Sequence, residues 1–591
     1  MRNRAIRIGN FSGYLGDRYT AVDEVIAGDP IDVLVGDYLA EITMAALSAR
    51  HHADPRRGFV EYFRDQIRPH LTTIAARGIK VVTNAGGFNP AGLAAELRND
   101  IASAGADLTV AYVDGDNILS RLPTLRDADR DLRNLDSGAP LASWPATPIA
   151  ANAYLGGWGI TAALAAGADI VVCGRVTDAA LTSGPAAWWH DWGRQDWDAL
   201  AGGVVAGHII ECGAHAVGGN FSGFTGIGKM LVPGFPIAEI ASDGSCVITK
   251  HARDDGAVTV DTVTAQLVYE IQGPRYLSPD VTAHLEHIEL TPIGPDRVEV
   301  RGTRGSPPPP TTKVAMFGLL GYSVVNTVFV TGLDVTQKLS LLRAQLGRDM
   351  PAGVEIDLTP IGVVADDPRS QWEGTIAVRV MATADTEKAL ARYGLARRIG
   401  GLYLQTIPGF FHDGGSVLNI APTPRVDYWP GLLPLSDIEH RVTLADGQVS
   451  TIAPAEITRT AIPPAESDPE PLPALINSRR APLGKVAYAR SGDKGGNSNV
   501  GVWTPHEQAW PWLRRFLTTA EIRRLLPETA GLDIERHEFP HLRAVHFVLR
   551  GLLGTGGSSN TRIDQVGKAV GEYLRAKQVP IPADLMPDGE N

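Results

Sequence analysis

Short apolar runs, rich in β-branched residues, recur early in the chain at residues 5–8, 31–35, 79–82, 108–113 and 169–173. Runs this short, without polar alternation, predict strands buried on both faces. Between them the apolar positions take helical spacing, at residues 38–49, 59–77, 91–104 and 156–166. Strand alternating with helix predicts a doubly wound, mostly parallel α/β sheet. From about residue 245 the pattern becomes strand-rich, as at 258–264 and 297–301, and Pro307 to Pro310 predict a stiff surface polyproline segment. Residues 333–346 and 387–398 then predict helices, and 375–380 a strand. Residues 462–483 hold six prolines in 22 positions, among acidic and small residues, which predicts a linker. After it come strands at 485–490 and 499–503, a helix at 510–526, strands at 534–539 and 544–549, and a helix at 563–576. The order ββαββα predicts a small ferredoxin-like α+β domain. The expected division is an α/β sheet domain over 1–244, a mixed α+β region completing it over 245–461, the linker, and a C-terminal domain over 484–591.

Ligands of doubly wound sheets sit beyond the carboxyl ends of the strands. Those ends are polar and glycine-rich here. They read Gly9-Asn10-Phe11-Ser12-Gly13, Gly36-Asp37-Tyr38, Thr83-Asn84-Ala85-Gly86-Gly87, Asp114-Gly115-Asp116-Asn117 and Gly174-Arg175-Val176-Thr177-Asp178. Any one of them is also what a capped loop looks like. Five together predict one pocket, with Asn84, Gly86, Gly87, Asp114 and Arg175 binding substrate and Asp37 and Asp178 as acids or bases. Asp37 and Glu41, four apart, would share a helix face. The glycines at 9, 13 and 16 lack the Gly-x-Gly-x-x-Gly spacing, which excludes a dinucleotide fingerprint.

His208, Glu211, Cys212 and His215 are the densest set of reactive side chains. On a helix they would share a face, but the spacing is not His-Glu-x-x-His, so no metal is expected. Glu211 and Cys212 remain candidates for acid–base or nucleophilic work, beside the plain alternative of a packed helix. No Gly-x-Ser-x-Gly elbow occurs, which argues against an ordinary α/β-hydrolase.

The stretch Ser491-Gly492-Asp493-Lys494-Gly495-Gly496-Asn497-Ser498-Asn499 packs three glycines into five positions beside a lysine. Successive N–H groups in such a turn can converge on an anion. It predicts a ligand loop, with Gly492, Lys494, Gly495, Gly496 and Asn497 binding substrate and Asp493 in a catalytic role. A structural turn is the alternative. A second glycine and serine loop at 554–562 leads toward the last expected helix, where an anion could also sit.

The 591 residues are 44% hydrophobic and 20% charged, which suits a folded protein with an ample core. A net charge of −12 argues against nucleic acid as a partner. Residues 484–591 carry 14 basic against 12 acidic side chains, so the acidic excess lies upstream. Three cysteines form no disulfide framework and suit a reducing cytoplasm. No signal-peptide pattern and no run of about 18 apolar residues is present, so no membrane association is expected.

Several of these stretches, with Glu211-Cys212-Gly213 and Tyr269-Glu270-Ile271-Gln272-Gly273-Pro274, together resemble the acyclic terpene utilisation protein family (AtuA), almost over the full length. The resemblance implies a long N-terminal domain with a ferredoxin-fold C-terminal domain. It also implies terpenoid or branched acyl-CoA breakdown, with CoA entering as part of the substrate and no separate cofactor. The first expectation is a lyase or hydratase moving a proton beside a thioester carbonyl. The alternatives are hydrolysis or acyl transfer through Cys212 or a bound water, and a non-catalytic metabolite binder. A homo-oligomer is expected.

Overall fold

The computed structural model describes residues 4–127, 130–412, 421–462, 468–470, 472 and 477–586. The chain divides into two compact units. One comprises residues 1–144, 148–317 and 428–591, and the other residues 145–147 and 318–427.

The expected early strands form as Ile6–Ser12 (β1), Val33–Gly36 (β2), Lys80–Thr83 (β3) and Val110–Asp114 (β4). After Thr147–Ala153 (β5) comes the fifth expected strand, Ile170–Cys173 (β6). They pair in parallel in the order β1-β2-β3-β6-β4. Every residue of β2 and of β6 is buried, so helices cover both faces, as uninterrupted apolar runs require. The sheet continues antiparallel at both edges. Ile237–Ile240 (β7), Cys246–Thr249 (β8), Arg297–Arg301 and Glu289–Gly294 extend it beyond β1, and Arg441–Thr443 and Val449–Thr451 extend it beyond β4. The helices Trp158–Ala165, Ala180–His190 and Trp197–Ile210 pack on it in one continuous apolar core.

Residues 258–264 depart from expectation. They read as a strand from their β-branched content, yet Val260–Leu267 is a helix. Thr259 accepts from the backbone of Thr262 while the Thr262 hydroxyl answers the Thr259 N–H, a reciprocal cap that starts a helix even ahead of residues with weak helix propensity. Burial of Val263, Ala265 and Leu267 against the main core then outweighs the weak preference of Val and Thr. Pro307 and Pro308 are buried, not a surface strut, because their carbonyls accept from Thr282 and Arg459.

The second unit has its own core. Thr375–Ala384 pairs antiparallel with residues 322–331 and with Val354–Ile361. Val328, Leu342, Val378, Leu390 and Ile399 fill the space under the helices Val335–Leu346, Glu387–Tyr393 and Leu395–Gly401.

The C-terminal segment keeps the ββαββα order. Tyr488–Lys494, Asn497–Trp503, Ala544–Leu549 and Ile534–Phe539 form one antiparallel sheet in that spatial order. The expected helix at 510–526 is two, Trp510–Phe516 and Thr519–Leu525, broken where Thr518 caps the second. The expected helix at 563–576 shrinks to Val570–Arg575, and the glycine and serine loop before it is closed by Asn560, which bonds Gly556 and Gln565. Much of the expected linker lies outside the described residues. Of the rest, Ser478–Pro482 is a strand paired with Gln578–Pro582, and Asp468 accepts from Thr519, so these parts dock on the C-terminal domain. Proline density misleads there, because an edge strand tolerates proline where its N–H would face away from the ladder.

Candidate active site

The parallel strands deliver polar side chains at their carboxyl ends, all buried except the half-buried Asp178. Asn10 and Ser12 come from β1, Asp37 follows β2, Asn84 follows β3, Asp116 follows β4, and Arg175 and Asp178 follow β6. Asn84 donates to Asp37 at 2.6 Å and accepts from the Tyr38 N–H at 2.8 Å, which ties two adjacent loops together. Asp116 accepts from the backbone of Arg175 and from Asn152, at 2.9 and 2.6 Å. The Arg175 guanidinium meets Asp178 at 2.5 Å and lies 4.0 Å over the Tyr154 ring.

Helix Trp197–Ile210 ends against these loops and brings His208 and Glu211 together, with His208 Nδ1 3.1 Å from Glu211 Oε1. The one-face cluster foreseen for a helix is not formed. The helix stops, and Gly213 at φ +58° turns the chain into a 3-10 segment that carries His215 to Arg490. Among the described residues no group of three metal-ligating side chains is assembled.

The C-terminal domain supplies two cations, Lys494 from its first hairpin and Lys568 from the loop before its last helix. Lys494 lies 3.8 Å from Glu270, and Lys568 lies 3.0 Å from Glu270 and 3.7 Å from Asp493. Glu270 holds a left-handed backbone at φ +54°, a conformation costly for a residue with a Cβ, and its N–H donates to Asn499 at 3.0 Å. Such strain at the meeting point of two lysines marks a position fixed by its surroundings.

Burial in this crowd shifts the acids upward. Asp37 is pushed well above the carboxylate range by burial, then by Asp178 and Glu211. Glu211 is likewise pushed well up by burial and by Asp178, although Lys494 opposes it. Asp493 rises with burial and the charges of Glu270 and Glu41. Burial and then Lys494 push His208 down to about 4, so its imidazole is neutral. Glu41 goes the other way: burial would raise it, but Lys313, bonded at 2.9 Å, and Lys494 more than offset this and hold it at about 2. The Cys212 thiol is pushed well up by burial and by Glu270 and Glu211, which is the reverse of what a thiolate nucleophile needs.

Several buried atoms around this cluster have no hydrogen-bond partner within the described residues, among them Asn10 Oδ1, Arg175 Nε, His208 Nε2, Glu211 Oε2 and Asn499 Nδ2. Buried polar atoms are almost always paired, so a concentration of unpaired ones points to a bound polar group. The arrangement offers a carboxyl that can give a proton, a neutral imidazole beside it, and two cations for a developing negative charge.

Other expected site residues are placed elsewhere. Asp114 pairs with Arg441 of the adjoining antiparallel strand at 3.0 Å, and Asp116 is the residue of that loop that reaches Arg175. A Cβ on Gly86 would lie 2.4 Å from the Cys173 carbonyl oxygen, and one on Gly87 2.4 Å from that of Gly58, so both glycines serve close packing. Gly492 lets Tyr269 approach. The stretch 491–499 is two strands joined by a tight turn at Gly495-Gly496, with Lys494 opposite Asn497. Its N–H groups bind the chain's own carboxylates. Gly495 donates to Glu41 at 3.0 Å, and Gly496 and Asn497 donate to Asp136 at 2.9 and 2.6 Å. Sequence reasoning passed over Glu270, Lys313 and Lys568 as site residues. Glu270 stood in a stretch already quoted for resemblance, whereas the two lysines carry no local signal.

A family model described as acyclic terpene utilisation family protein AtuA matches residues 6–444, and a second, described as AtuA ferredoxin-like domain, matches residues 481–580. No curated protein and no solved structure matches the chain.

Proposed function

The chain belongs to the acyclic terpene utilisation family AtuA, and on that premise we propose that it is an enzyme of terpenoid catabolism that moves a proton at the carbon beside the carbonyl of a branched acyl-CoA, in a lyase or hydratase reaction. The observation that carries this reading is Glu211. Its carboxyl is buried and pushed well above the usual carboxylate range by that burial and by Asp178, one oxygen faces His208, and the other is unpartnered among the described residues. A carboxylic acid that holds its proton more tightly than usual is the tool for delivering a proton to carbon and taking it back. Asp37, raised for the same reason, is a second acid in reach of the same field. Arg175 and Lys494 supply the positive charge that an enolate-like oxygen requires. The alternative through Cys212 is disfavoured by its protonated thiol.

Incubation of the full chain in D2O with a β-methyl-branched enoyl-CoA tests the reading, with mass spectrometry as readout. The expected result is deuterium uptake beside the carbonyl or gain of one water, lost in Glu211→Gln. Absence of both, with the thioester and its free acid alike, would sink the proton-transfer reading. A melting-temperature shift without exchange would then favour a metabolite binder.

A further inference from the structure

Glu270 bears a strain that its surroundings do not require of a glutamate. Its backbone sits at φ +54°, in the left-handed region that glycine and asparagine enter with least strain. That backbone is fixed from outside the side chain. Val268 Cγ2 lies 2.3 Å from where a Cβ on Gly501 would stand, and Tyr269 Cε2 lies 2.5 Å from one on Gly492, so the segment nests into two glycines of the C-terminal hairpin. Asn499 accepts the Glu270 N–H at 3.0 Å, and the neighbours Tyr269 and Ile271 are buried. A glycine or an asparagine at 270 would meet all of these conditions with less strain. A glutamate there is explained by what its carboxylate holds.

The two carboxylate oxygens are divided between two lysines. Oε1 lies 3.0 Å from Lys568 Nζ, and Oε2 lies 3.8 Å from Lys494 Nζ. Lys568 is itself tied down, bonded to the Tyr269 hydroxyl and 3.7 Å from Asp493, so it sets which way the carboxylate faces. Lys494 differs. Its backbone is fixed opposite Asn497 in the hairpin, but its ammonium makes no ion pair other than that with Glu270 among the described residues. A lysine stem is flexible and loses much rotamer freedom when held in one place, so its charge stays put only where a partner keeps it. Burial would loosen the proton of Lys494, but Glu270 first, and then Asp178, Glu211 and Glu41, more than offset this and tighten it. The ammonium thus stands in the field of the carboxyl that the proposed reaction uses.

We infer that Glu270 is a positioning residue, which from its strained backbone holds the Lys494 ammonium within the acidic cluster of Glu211 and Asp178, where an enolate-like oxygen needs positive charge. Its role in turnover rests on the proton-transfer reading, whereas the clamp on Lys494 does not.

Deuterium exchange into a β-methyl-branched enoyl-CoA by the full chain, followed by mass spectrometry at varied substrate concentration, tests the role in turnover. Glu270→Gln keeps the length and the strain without the charge, and Glu270→Asn relieves the strain and shortens the side chain. Both should lower the saturated rate about tenfold or more, with the half-saturating concentration changed by less than about twofold, the signature of a group that serves the transition state. Glu270→Asn should melt no lower than the parent. Glu270→Gln combined with Lys494→Ala should be no slower than Lys494→Ala alone, because the carboxylate acts through that lysine. Independently of any reaction, acetic anhydride at mildly alkaline pH should label Lys494 about threefold faster or more in Glu270→Gln than in the parent, relative to the exposed Lys388, since an amine that loses its carboxylate partner gives up its proton more readily. Exchange by Glu270→Asn at the parent's rate, a double variant slower than Lys494→Ala by the full factor of Glu270→Gln, or unchanged labelling of Lys494 would each overturn the proposal. No exchange by the parent would sink the proton-transfer reading and the role in turnover with it, while the labelling still upholds or sinks the clamp.

Discussion

The carboxyl ends of the parallel strands and the tip of the C-terminal hairpin are both glycine-rich, polar and largely buried, yet they differ in how their hydrogen bonds are spent. At the hairpin tip the turn donors have protein acceptors. Gly495 and Gly496 bond Glu41 and Asp136, and Asn497 both donates to Asp136 and accepts from Gly551. At the strand ends and the end of helix Trp197–Ile210 beside them, Arg175 Nε, His208 Nε2 and Glu211 Oε2 remain unspent among the described residues. Unpaired buried groups cost stability, so a fold keeps them where something else will pair with them. The hairpin is thus a lock between chain segments, whereas the strand ends and the helix end beside them keep buried groups unpaired among the described residues.

The largest expected effect is at Glu211. Glu211→Gln keeps the shape and can still bond His208, but it cannot deliver a proton. Deuterium exchange into the enoyl-CoA should fall by roughly 10²–10⁴-fold, the usual size of a positioned acid–base group, while the melting temperature changes little. Full exchange in this variant would put the site's acid elsewhere and break the comparison from one side.

Asp136→Ala attacks the other side. It leaves the Gly496 N–H and the Asn497 amide without their acceptor. The loss should be about 2–4 kcal/mol, from two donors abandoned in a part-buried turn. Amide hydrogen exchange across residues 488–503 should speed up accordingly. Unchanged protection would mean that the turn is not locked by this carboxylate.

A pH series separates the regions by sign. Glu41 is held at about 2 in the fold, below its unfolded value of roughly 4.3. Its stabilisation is therefore present above about pH 4.3 and is lost as pH falls toward 2. Asp37 and Glu211 are raised, so they disfavour the fold at high pH and release that penalty as pH falls through their folded values. Melting temperatures of Glu41→Gln should lose part of the acid-side decline, and those of Glu211→Gln part of the alkaline-side decline. The same curve for both variants would show that the two regions are not electrostatically distinct.

The smallest effect is expected at Cys212. Its thiol is held protonated, so Cys212→Ala should alter exchange by less than about threefold. A larger loss would restore the nucleophilic alternative.

The fold was readable wherever one physical cause dominated. The five buried strands declare themselves by apolar runs, since a strand covered on both faces has no polar side to show. Residues 260–267 were not readable in that way, because a threonine cap and burial overrode β-branched propensity. In the site, Asp37, Arg175, Asp178 and Glu211 could be picked out because strand ends and a dense reactive stretch announce them. Lys313 and Lys568 could not, since each is an isolated lysine until the chain folds Glu41 and Glu270 against it.

What the sequence determined by itself is local: which segments are strands, which loops end them, and which of those loops carry acids and glycines. These features arise from periodicity and turn chemistry acting over a few residues. The tertiary structure alone decided what each polar group is for. Whether Gly496 cradles a ligand or Asp136, and whether Glu211 is ionised or holds a proton, depends on atoms contributed from hundreds of residues away. Hydrogen-bond pairing and desolvation are properties of a surrounding, and that surrounding exists only once the chain has closed on itself.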